Sequence, residues 1–203
     1  MEQINEFEST SQANQDKFAW VMNDRRTNGI FLDVGCNDPV KHSNTYALEQ
    51  MGWNGLLVDI QTIPGLGARK ADFLIADAVT ADWPTILDLY LRHQNIHYLS
   101  LDCDEATTSA LQRLLALEQR YATITVEHDA YRFGTGNRDR QRALLKQKGY
   151  DLVCSDVCIP PGPGIPGQGG PFEDWWVWPP SVNMQTAEQI RCDGRLHSQI
   201  FNA

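Results

Sequence analysis

The 203-residue sequence predicts an α/β fold on one open, mostly parallel sheet with an antiparallel pair of strands at one edge. Three observations predict it. The runs FLDVG, LLVDI, FLIADA and YLSLDCD are largely continuous in apolar character rather than alternating, as in strands buried on both faces. Segments with helical spacing separate them, as β-α-β units require. Residues 159–171, IPPGPGIPGQGGP, hold ten glycines and prolines in thirteen positions. Regular structure is excluded there, and the loop parts two late strand-like runs that suit an antiparallel edge pair.

The elements follow in order. Ser9 to Arg26 reads as a helix within an N-terminal segment 1–28, with Phe18, Val21 and Met22 at helical spacing and Asn28-Gly29 as its stop. Ile30 to Val34 is the first strand, ending at Gly35. Ser43 or Asn44 caps the helix TYALEQMG, and Gly52 ends it before a second strand at Gly55 to Ile60. Asp72 to Ala76 is a third strand. Pro84 suits the first turn of a helix carrying Ile86, Leu87, Tyr90 and Leu91. His97 to Leu101 is a fourth strand. Thr107 to Arg120 presents Leu111, Leu114, Leu115 and Leu117 on one face, a packing stripe. A strand at Ala122 to Glu127, a helix at Asn137 to Lys148 stopped by Gly149, and a strand at Tyr150 to Val157 follow. WWVW is the last strand, and the tail 179–203 holds one short helix near Ala187 to Arg191. The length fits a single domain over 1–203.

Composition narrows the partners. Lysine and arginine number 17 against 26 acidic residues, a net charge of −9, whereas nucleic acid recognition needs a basic surface. No nucleic acid partner is expected. The start MEQINEFESTSQANQ is polar and acidic, unlike a secretory signal, and no run approaches the ~20 apolar residues of a membrane helix. The expectation is a cytoplasmic protein without a membrane partner. The five cysteines are odd in number and read as reduced thiols. A metal half-site of Cys154 and Cys158 with Cys192 or His197 is the less favoured reading, because CxxxC is an uncommon ligand spacing.

Function is written at the strand ends. Asp33, Asp59, Asp77, Asp102 and Asp104 fall where parallel strands finish, which is where open sheets bind ligands. Each alone is equally a helix cap or a solvated turn; together they favour a cationic ligand rich in hydroxyls and amines. The turn DVGCND has Gly35 alone where a dinucleotide fingerprint has three glycines, and Asp38 would repel a pyrophosphate. S-adenosylmethionine (SAM) has no phosphate and carries a sulfonium and an ammonium, so it fits better than a nicotinamide dinucleotide. Asp59, 26 positions after Asp33, is placed to accept from ribose hydroxyls, and Asp77 to lie near the adenine amine.

Asp102 and Asp104 close one strand, and Glu127 and His128 close its expected neighbour ~4.8 Å away, so the four are read as converging. His128 then serves as general base for an acceptor hydroxyl, with Asp102 and Glu127 orienting it. Alternatively Asp102, Asp104, Glu127 and His128 hold a divalent metal such as magnesium, or form an ordered polar cluster with no chemistry. Arg132, Arg138, Arg140 and Arg142 read as a solvated face before an anion grip. Trp175, Trp176 and Trp178 offer a stacking platform for a sugar, or core packing. The loop 159–171 is read as a lid over the site.

The order of FLDVGCND, SNTYALEQMGWNGLLVDI, YLSLDCDEATTSAL and TVEHDAYRFGTGNRDRQRALLKQKGYDLV resembles the FkbM-type SAM-dependent methyltransferases across most of residues 30 to 178. The resemblance implies a Rossmann-like three-layer sandwich of the class I methyltransferase type with seven strands, and methyl transfer to a hydroxyl of a small molecule, sugar or glycoside. Carried over by position, Asp33, Gly35, Asn37 and Asp38 would line the methionine end of SAM, with Ser43 and Asn44 beside it. Asp59 would hold the ribose with Ile60 next to it, and Asp77 and Ala78 would face adenine. Pro39 stands where such proteins often carry glycine, and DCDE replaces an acid-glycine turn; both bear on the acceptor. A rival from another class is a non-catalytic module that binds a metabolite or a partner protein in the same pocket.

Overall fold

The computed structural model describes residues 7–92, 94–161 and 169–201. Five parallel strands come first: β1 (Ile30–Val34), β2 (Asn54–Asp59), β3 (Asp72–Ile75), β4 (Ile96–Leu101) and β5 (Tyr121–Glu127). Then follow β6 (Asp151–Cys158), β7 (Pro171–Val177) and a two-residue β8 (Cys192–Asp193). Their order across the sheet is β3-β2-β1-β4-β5-β7-β6-β8. β7 is antiparallel to both β5 and β6, and β8 runs parallel to β6. The seven expected strands are therefore joined by an eighth among the described residues, too short to leave a period in the sequence.

Helices cover both faces. They are α1 (Gln15–Met22), α2 (Tyr46–Gln50), α3 (Trp83–Ile86, continued as a π-turn over Leu87–Leu91), α4 (Thr107–Leu115), α5 (Ala130–Phe133), α6 (Gly136–Gln147), α7 (Met184–Ile190) and α8 (His197–Ile200). Because side chains alternate along a strand, Leu32, Val34, Leu99, Leu101, Ile124 and Val126 turn one way, onto Trp83 of α3, Leu111 and Leu114 of α4 and Leu145 of α6. Phe31, Leu57 and Tyr98 turn the other way, onto Trp20 of α1 and Leu48 of α2. On that same side Trp175 and Val177 pack against Phe18, Met22, Ile190 and Ile200. The result is a Rossmann-like three-layer sandwich.

Local chemistry explains where the boundaries moved. α1 begins six residues after the expected Ser9 because Asp16, fully buried, accepts hydrogen bonds from the Ser9 and Ser11 hydroxyls and from the Thr10 and Ser11 amides. Such side-chain to backbone bonds compete with a helical start. Asp24 and Arg25, both at positive φ, end it early. α4 stops at Leu115 rather than Arg120. Within the tail, the one expected helix becomes α7, β8 and α8. Residues 162–168 of the glycine and proline loop lie outside the described residues, and so does the lid role assigned to them.

Trp175 and Trp176 are fully buried in the two cores, and Trp178 packs at a tilt against Tyr150 and under Arg120. A tryptophan sugar platform is thereby corrected: Trp175 and Trp176 on β7 point alternately into the two helical layers. No helix among the described residues is long and apolar enough to cross a membrane.

One buried cation ties the first β-α-β unit together. Arg69 pairs with Glu49 of α2 at 3.3 Å, both side chains 1% exposed. Its guanidinium also donates to the Pro39 carbonyl and to the Ser43 and Thr45 hydroxyls. Removing one partner of such a pair leaves an uncompensated buried charge and costs ~3–5 kcal/mol. Urea denaturation should show that loss for Arg69→Met, with part of it recovered in Arg69→Met combined with Glu49→Gln. Equal stability of wild type and Arg69→Met would rule out this role.

Candidate functional site

The strand order reverses between β1 and β4, so the chain leaves these neighbours toward opposite faces and a crevice opens past their carboxyl ends. Two adjoining cavities occupy it. The larger, about 400 Å³, runs from β3 to α5 and includes Asn37, Asp59, Ile60, Asp77, Ala78, Asp102, Asp104 and Glu127 in its wall. The smaller, about 290 Å³, includes Asp33, Asp38 and Asn44. Gln12, Gly35, Asn37 and Asp102 border both.

Gly35 makes the crevice possible. Its φ is +81°, and a Cβ built there would sit 1.6 Å from the Asp102 carbonyl oxygen. Only glycine allows β1 to turn this close to the end of β4. Asn37 also takes a positive φ, 46°, which turns its amide onto an Asp59 carboxylate oxygen at 3.1 Å. The other Asp59 oxygen accepts from the Gln61 amide at 3.2 Å. Each oxygen keeps a second lone pair for a ligand hydroxyl. Asp77 accepts from the Val79 amide and the Thr80 hydroxyl, and Asp38 from the Val40 and Lys41 amides, which hold the Asp38 carboxyl below its usual range. These carboxylates shape turns and face the cavities at once.

Asp33 is buried beneath the smaller cavity. Burial lifts its pKa, against the opposing pull of the Thr45 hydroxyl at 2.7 Å and the charge of Arg69. Asn44 donates to the Ser100 hydroxyl on β4 at 2.9 Å. Ser43 is not in either wall: its hydroxyl is 1% exposed with its residue, accepts from the Tyr46 amide and Arg69, and thus builds the start of α2. Asn44 does not share that capping role, and Thr45 occupies the formal cap position.

His128 departs from expectation. Glu127 and His128 are consecutive at a strand end, so they face opposite sides of the sheet. Glu127 reaches the cavity, whereas His128, buried, turns toward α6. Its Nδ1 accepts from the Ala130 amide, and its Nε2 lies 3.5 Å from Asp174 and 3.7 Å from Asp156. It is absent from the wall of both cavities, so it cannot serve there as general base, and the expected convergence of four side chains reduces to Asp102, Asp104 and Glu127.

The metal expectation meets the same correction. Among the described residues, the group whose ligand atoms lie within 4.8 Å of one another is His128, Asp156 and Asp174, not the expected quartet, and it includes no cysteine. Arg142 already forks onto Asp174 at 2.7 and 2.8 Å, and Arg138 and Arg142 bond Asp156 at 3.1 and 3.0 Å. Burial would raise the Asp174 carboxyl, but the Arg142 fork and His128 hold it down at about 2. Two guanidiniums neutralise these carboxylates, so the donor set does not fit a metal. Arg138 and Arg142 belong to this ion cluster, and Arg132 to the larger cavity.

Sequence reasoning missed Gln12, Cys103, Asp129, Tyr131, Ile159 and Phe172, all in the wall of the larger cavity, and read Arg132, in the same wall, chiefly as part of a solvated face. Alternation past Glu127 offered the signal: Asp129 returns to the cavity side, with φ at 46°. Burial and neighbouring carboxyls raise the pKa of Asp102, Glu127 and Asp129, and Glu127 lies within hydrogen-bonding reach of both aspartates. Burial and the negative charges of Asp102 and Asp59 push the Cys103 thiol up to about 12, which removes it as a nucleophile. All five cysteines are free thiols.

The strand order, the antiparallel β7 and the crevice between β1 and β4 define a Rossmann-like fold. No family model matches the chain, and no curated protein matches it. A crystal structure of M. jannaschii TYW2 in complex with AdoMet aligns over 85% of this chain and 76% of its own, at 10% identity and a TM-score of 0.44. The fold assignment therefore stands on the topology.

Two outcomes follow from this geometry. Gly35→Ala should cost about 2–5 kcal/mol in urea denaturation, through backbone strain and the clash with Asp102; a loss below about 1 kcal/mol would contradict the close approach. The second concerns Glu173, opposite Glu127 in the β5–β7 ladder and fully buried, which burial raises from 4.5 to about 8 against hydrogen bonds from Trp175 and Gln15. Between those values the folded chain keeps a proton that the unfolded chain has released. Its stability contribution is complete below pH 4.5 and is lost as pH rises through about 8, at a slope near 1.4 kcal/mol per pH unit. Melting curves of Glu173→Gln should lack that share of the pH dependence, and a parallel pH profile in both proteins would exclude it.

Proposed function

We propose that this protein is a SAM-dependent O-methyltransferase, akin to the FkbM-type enzymes its sequence resembles, acting on a hydroxyl of a small molecule, sugar or glycoside. One observation carries the reading. Asp59 presents its carboxylate at the end of β2, held by two backbone amides in the wall of a cavity that is otherwise acidic and lacks a glycine-rich phosphate loop.

The residues present fit the cofactor. Gly35 leaves room for a ligand against the backbone, since a side chain there would fill the approach. Asp59 would accept from both ribose hydroxyls, and Ile60, 70% exposed beside it, offers an apolar surface to adenine. Asp77 and Ala78 would meet the adenine edge. Asp33, Asn37, Asp38 and Asn44 surround the smaller cavity, where the carboxylates suit an ammonium. Bound SAM supplies an electrophilic methyl group on a positively charged sulfur.

The chain's own part is positioning and proton management. The crevice aligns an acceptor oxygen and keeps water out, which accounts for most of the rate in such displacements. Asp102, Glu127 and Asp129 stand on the acceptor side, and their raised proton affinity suits a group that takes up the hydroxyl proton late in the transfer. Tyr131, Ile159 and Phe172 form the apolar wall against which the acceptor's carbon body would rest.

Calorimetry tests this with three ligands. SAM and S-adenosylhomocysteine should bind, NAD should not, and Asp59→Ala should weaken SAM by about 10- to 100-fold, the worth of hydrogen bonds to a charged group. NAD binding more tightly than SAM would overturn the reading. Tight SAM binding without transfer to any member of a hydroxyl library would favour the non-catalytic module.

A further inference from the structure

We propose that the acceptor carries an ammonium group near its reactive hydroxyl, and that Asp129 is the carboxylate that selects it. The proposal rests on the cofactor reading above and deepens it by naming the class of the second substrate.

The argument is one of charge. Six carboxyls enter the larger cavity: Asp59, Asp77, Asp102, Asp104, Glu127 and Asp129. With Asp59 and Asp77 given to the nucleoside, four remain at the ends of β4 and β5, and even with Glu127 protonated between Asp102 and Asp129, three carboxylates are left there. The cation in that wall is Arg132, half-exposed, 3.8 Å from Asp104 and 3.9 Å from Asp129. Contacts that long and that wet neutralise little. Lys41 and His42 belong to the smaller cavity, and Arg138 and Arg142 to the ion cluster behind the sheet.

Asp129 supplies the independent sign of a missing partner. It is 5% exposed and lines the cavity; the Glu127 carboxyl and the Tyr131 hydroxyl lie near it, yet its Oδ1 is buried without a hydrogen-bond partner. A buried carboxylate oxygen without a donor is costly. The fold also holds Asp129 at φ 46°, a conformation that costs energy for a residue with a side chain. A positively charged N–H donor would satisfy that oxygen and offset the surrounding charge; a neutral polyol would do only the first.

A divalent metal is the competing occupant. It requires six or more oxygens at 2.0–2.6 Å, whereas these carboxyls are not the group whose ligand atoms converge within 4.8 Å. An anionic acceptor meets net repulsion. Beside the charge, the apolar wall of Tyr131, Ile159 and Phe172 suits a carbocyclic or sugar body.

The test is calorimetry at low ionic strength on protein saturated with S-adenosylhomocysteine, titrated with trans-2-aminocyclohexanol and with its N-acetyl derivative. The amine should bind about tenfold tighter or better. Asp129→Asn should bring the two within about twofold while Asp129→Glu keeps the preference, circular dichroism confirming that both variants fold. Equal binding of the two probes, no binding of either, or a preference that survives Asp129→Asn would overturn the proposal. Magnesium binding lost in Asp129→Asn would assign the cluster to a metal and overturn it too. Failure of S-adenosylhomocysteine to bind would sink the cofactor reading itself, and this proposal with it.

Discussion

The close pass of Gly35 beneath the Asp102 carbonyl is the constraint on which the rest of the site is built. β1 and β4 are hydrogen-bonded neighbours, yet the chain leaves β1 toward α2 and β4 toward α4, on opposite faces. A crevice must open where the two paths part. With no Cβ at position 35 the opening reaches down to the backbone, and the turn that follows can direct Asn37 onto Asp59 of the next strand. Arg69 secures the far side of that turn by bonding Pro39, Ser43, Thr45 and Glu49 from within the α2 layer. The floor of the site is thus set by backbone contacts and one buried ion pair, which leaves the carboxylates free to differ in role.

They do differ. Asp38, Asp59 and Asp77 cap turns, and their charge is met by amide donors. Asp102, Glu127 and Asp129 are met mainly by each other, and burial raises all three. Behind the sheet Asp156 and Asp174 are met by two arginines and a histidine, and the arginine fork keeps Asp174 ionised. One composition of acidic residues therefore yields three electrostatic environments, separated by which layer of the sandwich each side chain enters. The environment left short of positive charge is the one in the cavity.

Much of this was legible in the sequence. The strands announced themselves because parallel strands buried on both faces need continuous apolar runs, and Asp33, Gly35, Asn37, Asp38, Asn44, Asp59, Ile60, Asp77 and Ala78 do line the crevice. What sequence alone obscured was the pairing of side chains across space. Ser43 looks like a ligand contact from its position but is claimed by Tyr46 and Arg69. Arg69 itself sits in a run, GLGARK, with no periodicity to mark it as buried. β8 has two residues and no pattern to show.

His128 gives the sharper lesson, because the rule that displaces it was available. A strand alternates, so two consecutive residues at its end cannot both enter one cavity; if Glu127 faces the ligand, His128 faces the helices beyond the sheet and Asp129 comes back. An imidazole with an unperturbed pKa near neutrality invites assignment as a base, yet here it bridges the backbone of the 127–130 turn to the Asp156 and Asp174 pair. That turn carries both Glu127 and Asp129 into the cavity. The histidine thus bears on the site through the rigidity of the segment, and the chemistry that a proton acceptor would perform falls to carboxyls whose affinity for protons is raised first of all by burial.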